Sequence, residues 1–100
     1  MDRLFKVGNR DDIPLGEGRK YFLNGEEVGI FNLKDKVLAI SNWCPHRGGP
    51  LSDGLVTGEE VICPLHGFKV NLNTGCLKNS NERVRVYEVV LKNGEIYLKC

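Results

Sequence analysis

The stretch "RVRVYEVVLKNGEIYLKC", residues 83–100, decides the fold class. Asn93-Gly94 stands between two runs rich in β-branched and aromatic residues, the strongest short-range signal for a β-hairpin. After that turn Ile96 and Leu98 alternate with Glu95, Tyr97 and Lys99, the period of a half-buried strand. Before it the alternation is less clean. Val84 and Val86 share a face with Glu88, which points to a bulge near Tyr87 or Glu88.

Similar signals recur outward from this hairpin. "LFKVG" (4–8) reads as a first strand and "NRDDIPLGEG" (9–18) as a polar turn region. "EVGIFNL" (27–33) and "KVLAISN" (36–42) flank Lys34-Asp35 as a second hairpin. "EEVIC" (59–63) and "FKVNL" (68–72) are further strands, with "NTG" (73–75) as a turn. No window sustains a 3.6-residue period, and there is no repeat or low-complexity segment. The expectation is an all-β fold, an antiparallel sandwich or small barrel, with residues 1–100 forming one domain.

Fourteen basic residues against thirteen acidic ones leave no electrostatic footprint for nucleic acid or an anionic membrane. The N-terminus "MDRLFKVGNRDD" has no apolar signal core, and the longest purely apolar run is Val37 to Ile40. A cytoplasmic location follows as an expectation, with reduced thiols. There Cys44, Cys63, Cys76 and Cys100 are ligands or free thiols rather than a disulfide framework. Cys76 is expected to be a buried or half-buried thiol and Cys100 an exposed one.

Two segments interrupt the strands. "WCPHRGGPLSDG" (43–54) carries Cys44 and His46, and "CPLHGF" (63–68) carries Cys63 and His66. The pattern is C-x-H, sixteen residues, then C-x-x-H, each arm wrapped in proline and glycine and each holding one thiol and one imidazole. Three readings are open. In the first these are ordinary core cysteines and turn histidines, against which stands the fact that both of the chain's histidines fall inside the paired motifs. In the second they form a structural Cys₂His₂ zinc site, although common zinc modules group like ligands together. In the third they hold a [2Fe–2S] cluster with two histidines replacing two cysteines on one iron, which explains one ligand of each type per arm. Glycines would let backbone N–H groups approach the sulfides, and prolines would stiffen the loops.

"CPHRGGPLSDG" followed by "CPLHGFKVNLNTG" resembles the Rieske-type [2Fe–2S] ferredoxin family over nearly the whole chain. Within it, "GGPLSDGLVTGEEVICPLH", "NLNTG" and "VRVYEVVLKNGEIYL" are most similar to the small subunits of assimilatory NAD(P)H-dependent nitrite reductases. The resemblance implies Cys44 and Cys63 on the buried iron and His46 and His66 on the outer iron, in a two-loop cluster-binding subdomain. It implies a one-electron carrier whose partner is a large subunit with FAD and sirohaem. Alternatively the partners are a flavin reductase and a terminal oxygenase, served by a free ferredoxin. A reading of another class is a structural metal-binding interaction module.

Departures from the family pattern carry their own expectations. Respiratory Rieske proteins join an extra cysteine in each loop; the matching positions here are Gly49 and Leu65, so that bridge cannot form. Their hydroxyl donors are replaced by Phe68 and Val70. Fewer hydrogen bonds to sulfur stabilise the reduced cluster less, which places the midpoint near the low end of the Rieske range, about −150 mV. Electrochemistry at neutral pH checks this, and a clearly positive midpoint contradicts it. A third covering loop would be "CLKNSNER" (76–83), which lacks the family's proline. Trp43 and Phe68 are expected to pack over the site, and Arg47 either steers an acidic partner or is a solvated spacer. No nucleotide-binding fingerprint or second catalytic constellation is present, so the isolated chain is expected to carry electrons rather than transform a substrate.

Overall fold

The computed structural model describes residues 3–43, 50–64 and 67–99. Among them nine strands run in the order β1 (Leu4–Asn9), β2 (Glu17–Leu23), β3 (Glu26–Asn32), β4 (Val37–Ser41), β5 (Leu55–Thr57), β6 (Glu60–Ile62), β7 (Lys69–Asn71), β8 (Val86–Lys92) and β9 (Glu95–Lys99). Short 3₁₀ turns occupy Arg10–Asp12 and Leu51–Asp53. A six-stranded sheet has the order β1-β9-β8-β4-β3-β2, and a three-stranded sheet has the order β5-β6-β7. Every named pairing is antiparallel. The larger sheet curls until its two edges approach: a Cβ on Gly8 of β1 would lie 3.0 Å from the Tyr21 ring of β2. The expected all-β antiparallel fold forms, its larger sheet curled into a half-barrel.

Both faces of the curled sheet are covered, and β3 shows it best. Its alternate residues Val28 and Ile30 enter one apolar cluster with Ala39, Tyr87, Ile96 and Leu98. The next residue, Phe31, on the other face, joins a second cluster with Ile40, Leu51, Val61, Cys63 and Val70. A strand buried on both sides loses the polar half of its alternation, which is why "VGIF" is continuously apolar. The second cluster lies between the large sheet and the small one, and so joins the barrel to the segments bearing the motifs.

The terminal hairpin is as the sequence predicts. Asn93 and Gly94 adopt φ of 52° and 80°, the mirror-image turn that matches strand twist. Ile96 and Leu98 are fully buried. The expected bulge near Tyr87 or Glu88 is corrected: β8 pairs with β4 and β9 without a register shift. The alternation is unbroken here: Val84 and Tyr87, an odd number of residues apart, face opposite sides and pack into the second and the first cluster. The register shift in this sheet falls between Lys6 and Gly8 of β1.

The turn region read at 9–18 ends sooner than expected, since β2 starts at Glu17. A second asparagine–glycine pair, Asn24-Gly25 with φ of 51° and 79°, turns β2 into β3. Cys76 is exposed rather than buried. Its neighbours Gly75 and Leu77 take the inward positions of an extended segment, which sends Cys76 outward. Cys100 lies outside the described residues.

Edge strand β1 pairs only with β9, where Lys6 and Glu95 form an exposed ion pair. Its hydrogen bond with Lys6 holds the Glu95 carboxyl below its usual 4.5, and the same bond raises Lys6 above 10.5. A lowered carboxyl contributes stability above its unfolded value and loses it as pH falls through the folded one; a raised lysine contributes below 10.5 and loses it at higher pH. Glu95→Gln should therefore flatten the acid limb of a Tm-against-pH curve below about pH 4.5, weakly and less so in high salt. An unchanged acid limb at low salt contradicts this.

Candidate metal centre

Each motif segment is a connection whose stems are closed by backbone contacts. Trp43 and Pro50 form an antiparallel bridge across the base of the first segment. Just inside it, Leu51 N–H donates to Asn42 C=O at 2.8 Å and Ser52 N–H donates to Asn42 Oδ1 at 2.7 Å. The second segment is tighter: Cys63 N–H donates to Phe68 C=O at 2.8 Å, and Gly67 N–H donates to Cys63 C=O at 3.0 Å. Gly67 sits at φ 70°, a left-handed turn that a side chain would strain.

The two stems touch. Gly54, at the end of the first segment, packs against β6 immediately before Cys63. A Cβ there would lie 2.3 Å from Ile62 O, 2.8 Å from Val61 Cγ2 and 3.1 Å from Leu51 O. Two of these neighbours are backbone and cannot swing aside. Gly54→Ala should part the stems at a cost of about 1–3 kcal/mol, lowering Tm by about 4–8 °C per kcal/mol. Iron bound per chain after anaerobic reconstitution should fall with it; an unchanged Tm and iron content overturns the argument.

Of the sequence-predicted ligands, Cys63 lies among the described residues, while Cys44, His46 and His66 lie outside them. Cys63 is 1% exposed, free of any disulfide, and part of the cluster that also holds Leu51 from the first segment. Its backbone N–H and C=O are both engaged, so the thiol is the group it has to offer. A soft sulfur donor at the tip of an apolar cluster, beside a glycine-turned loop, fits an iron–sulfur cluster. Among the described residues no group of three His, Cys, Asp or Glu side chains comes together.

The surroundings match expectation in part. Phe68 is half-buried and packs against the second cluster, and Val70 is fully buried, so both replace hydroxyls by packing. Trp43 is 50% exposed and belongs to neither apolar cluster. Asn42 takes the inward position, and strand alternation sends Trp43 outward. The proline-free segment 76–83 is closed by pairing instead. Cys76 bridges Arg83, Leu77 bridges Val70, and Lys78 N–H donates to Lys69 C=O at 2.9 Å. A groove runs between its tip, Lys78 and Asn79, and the second segment at Gly67 and Phe68. Arg47, Gly49 and Leu65 lie outside the described residues.

The profile of the Rieske-like [2Fe–2S] domain matches residues 3–99. A ferredoxin component of naphthalene 1,2-dioxygenase/salicylate 5-hydroxylase systems from Ralstonia sp. is 32% identical over 92 residues, covering 89% of this chain and 88% of its own. The Escherichia coli protein NirD superposes with a TM-score of 0.90 at 30% identity, over 100% of this chain and 98% of its own. A Mycobacterium tuberculosis protein described as the small subunit of an NADH-dependent nitrite reductase has the same fold, with a TM-score of 0.92 at 24% identity over 100% and 96% of the two chains. No helix among the described residues is long and apolar enough to cross a membrane.

Proposed function

The chain belongs to the Rieske-like [2Fe–2S] domain family, and from that premise we propose that it is the small, cluster-bearing subunit of a cytoplasmic NAD(P)H-dependent nitrite reductase. As a family member it is a Rieske-type ferredoxin that carries electrons on a Rieske [2Fe–2S] cluster. Cys44 and Cys63 are assigned to one iron, and His46 and His66 to the other.

When bound, the cluster supplies a one-electron couple. This chain's residues hold and shelter it. Cys63 presents its thiol from an apolar cluster closed to water, with Phe68 packed alongside. The contact of Gly54 with Ile62 and the Trp43–Pro50 bridge bring the stems of both loops to one end of the sheet. The histidine-bearing positions would then face a partner. We assign Arg47, in the first loop, to steering an acidic partner surface.

One observation supports the nitrite reductase reading beyond the motifs: the match to NirD runs from end to end of this chain. A second reading, a free ferredoxin serving an oxygenase, is favoured by the Ralstonia relative. The two are separated by mixing the anaerobically reduced protein with either a sirohaem-containing large subunit or an oxygenase from the same organism. Stimulated nitrite reduction supports the first. Rapid oxidation by the oxygenase, with no effect on nitrite reduction, replaces it with the second. A purely structural metal module would show no reversible one-electron couple in a redox titration.

A further inference from the structure

Asn42 is one of few polar side chains buried in the described part of the molecule, and it is fully so. It precedes the first cluster-binding segment, and its partners lie on the far side of that segment. Leu51 and Ser52 are themselves buried, and their backbone N–H groups need acceptors. The Asn42 backbone carbonyl serves one and the side-chain Oδ1 the other.

The amide's orientation is over-determined. Its Nδ2 donates to Glu27 Oε2 at 3.0 Å, while the Asn42 N–H donates to Glu27 C=O at 3.1 Å. The Glu27 side chain is only 12% exposed, and Lys20 Nζ stands 3.9 Å from its other oxygen. An acceptor on one side and a donor on the other fix which way the amide points. Beneath it, Gly29 leaves the space: a Cβ there would come within 2.7 Å of Asn42 Oδ1.

We propose that Asn42 is the positioning residue of the cluster site. Its buried amide ties the two ends of the segment 43–50, which carries Cys44 and His46, and Glu27 holds that amide in register. The role is set apart from ordinary stabilisation by its place: both bonds to Leu51 and Ser52 span the base of a ligand loop. Partners that orient metal ligands from outside commonly change metal affinity 10- to 100-fold when removed. The inference rests on the bound cluster and not on which redox partner is used.

The test uses the cluster-loaded protein and three readouts: the electron paramagnetic resonance g values after dithionite reduction, the midpoint potential, and the half-life of visible absorption under a chelator. Asn42→Asp sets two carboxylates against each other and should shorten the half-life about 10- to 100-fold while shifting the g values. The double variant Asn42→Asp/Glu27→Gln restores a donor facing an acceptor and should recover most of the loss. Gly29→Ala keeps every polar partner but displaces Oδ1. It should move the same readouts in the same direction, and it serves if Asn42→Asp does not fold. Unchanged g values, potential and half-life in a less heat-stable variant overturn the proposal, as does a double variant no better than Asn42→Asp. A wrong partner assignment leaves these readouts untouched, whereas a colourless wild-type protein sinks the cluster itself.

Discussion

Cys63→Ser should purify without the cluster's visible absorption, even after anaerobic reconstitution with iron and sulfide. The substitution changes one atom at a residue that is 1% exposed and leaves the backbone bonds to Phe68 and Gly67 in place. What changes is the donor: a serine oxygen is a hard, reluctantly ionised ligand where iron and sulfide demand a soft thiolate. The new hydroxyl also sits in an apolar cluster, where an unsatisfied one costs about 1–3 kcal/mol. Cys76→Ser is the matched control, because that thiol is exposed and forms no part of either core cluster. It should keep full colour. Iron content and absorbance of Cys63→Ser equal to wild type would remove the assignment of this residue as a ligand.

Phe31→Ala should destabilise the fold by about 3–5 kcal/mol, a large share of the roughly 5–15 kcal/mol typical of a whole domain. Phe31 is fully buried, and its ring rests on β2 where Gly18 leaves room: a Cβ at Gly18 would lie 2.5 Å from Phe31 Cε2. The same ring stands 3.2 Å from where Gly29 would carry a Cβ, so two glycines are shaped around one side chain. Phe31 also shares its cluster with Leu51 and Cys63, so the cavity opens under both ligand loops. The expected fall in Tm is more than about 12 °C, with faster bleaching of the cluster. A loss under about 1 kcal/mol in denaturant unfolding would show that Phe31 does not bind the sheet to the cluster end.

Legibility followed how local the cause was. The Asn93-Gly94 hairpin was readable because turn chemistry and a period of two reside in adjacent residues. The strand β2 was missed because its alternation is spoiled twice. Gly18 is buried as space for Phe31, while Arg19 and Lys20 are both exposed on an edge strand. Cys76 was placed inside from its residue type, whereas its exposure depends on Gly75 and Leu77 turning inward. The bulge expected in β8 does not form, because both faces of the sheet are covered: Val84 reaches one cluster and Tyr87 the other in regular alternation.

The order of residues alone determined that the chain is built of strands and that one cysteine and one histidine stand in each of two glycine- and proline-rich connections. Backbone geometry and metal preference act on neighbours, so those features survive without knowledge of the rest. Only the tertiary structure decided how the two connections meet. The contact of Gly54 with Ile62 O, the span of Asn42 to Ser52, and the ring of Phe31 between two glycines are all long-range. They obey no sequence period, because each depends on a close approach of chain segments that folding alone brings together.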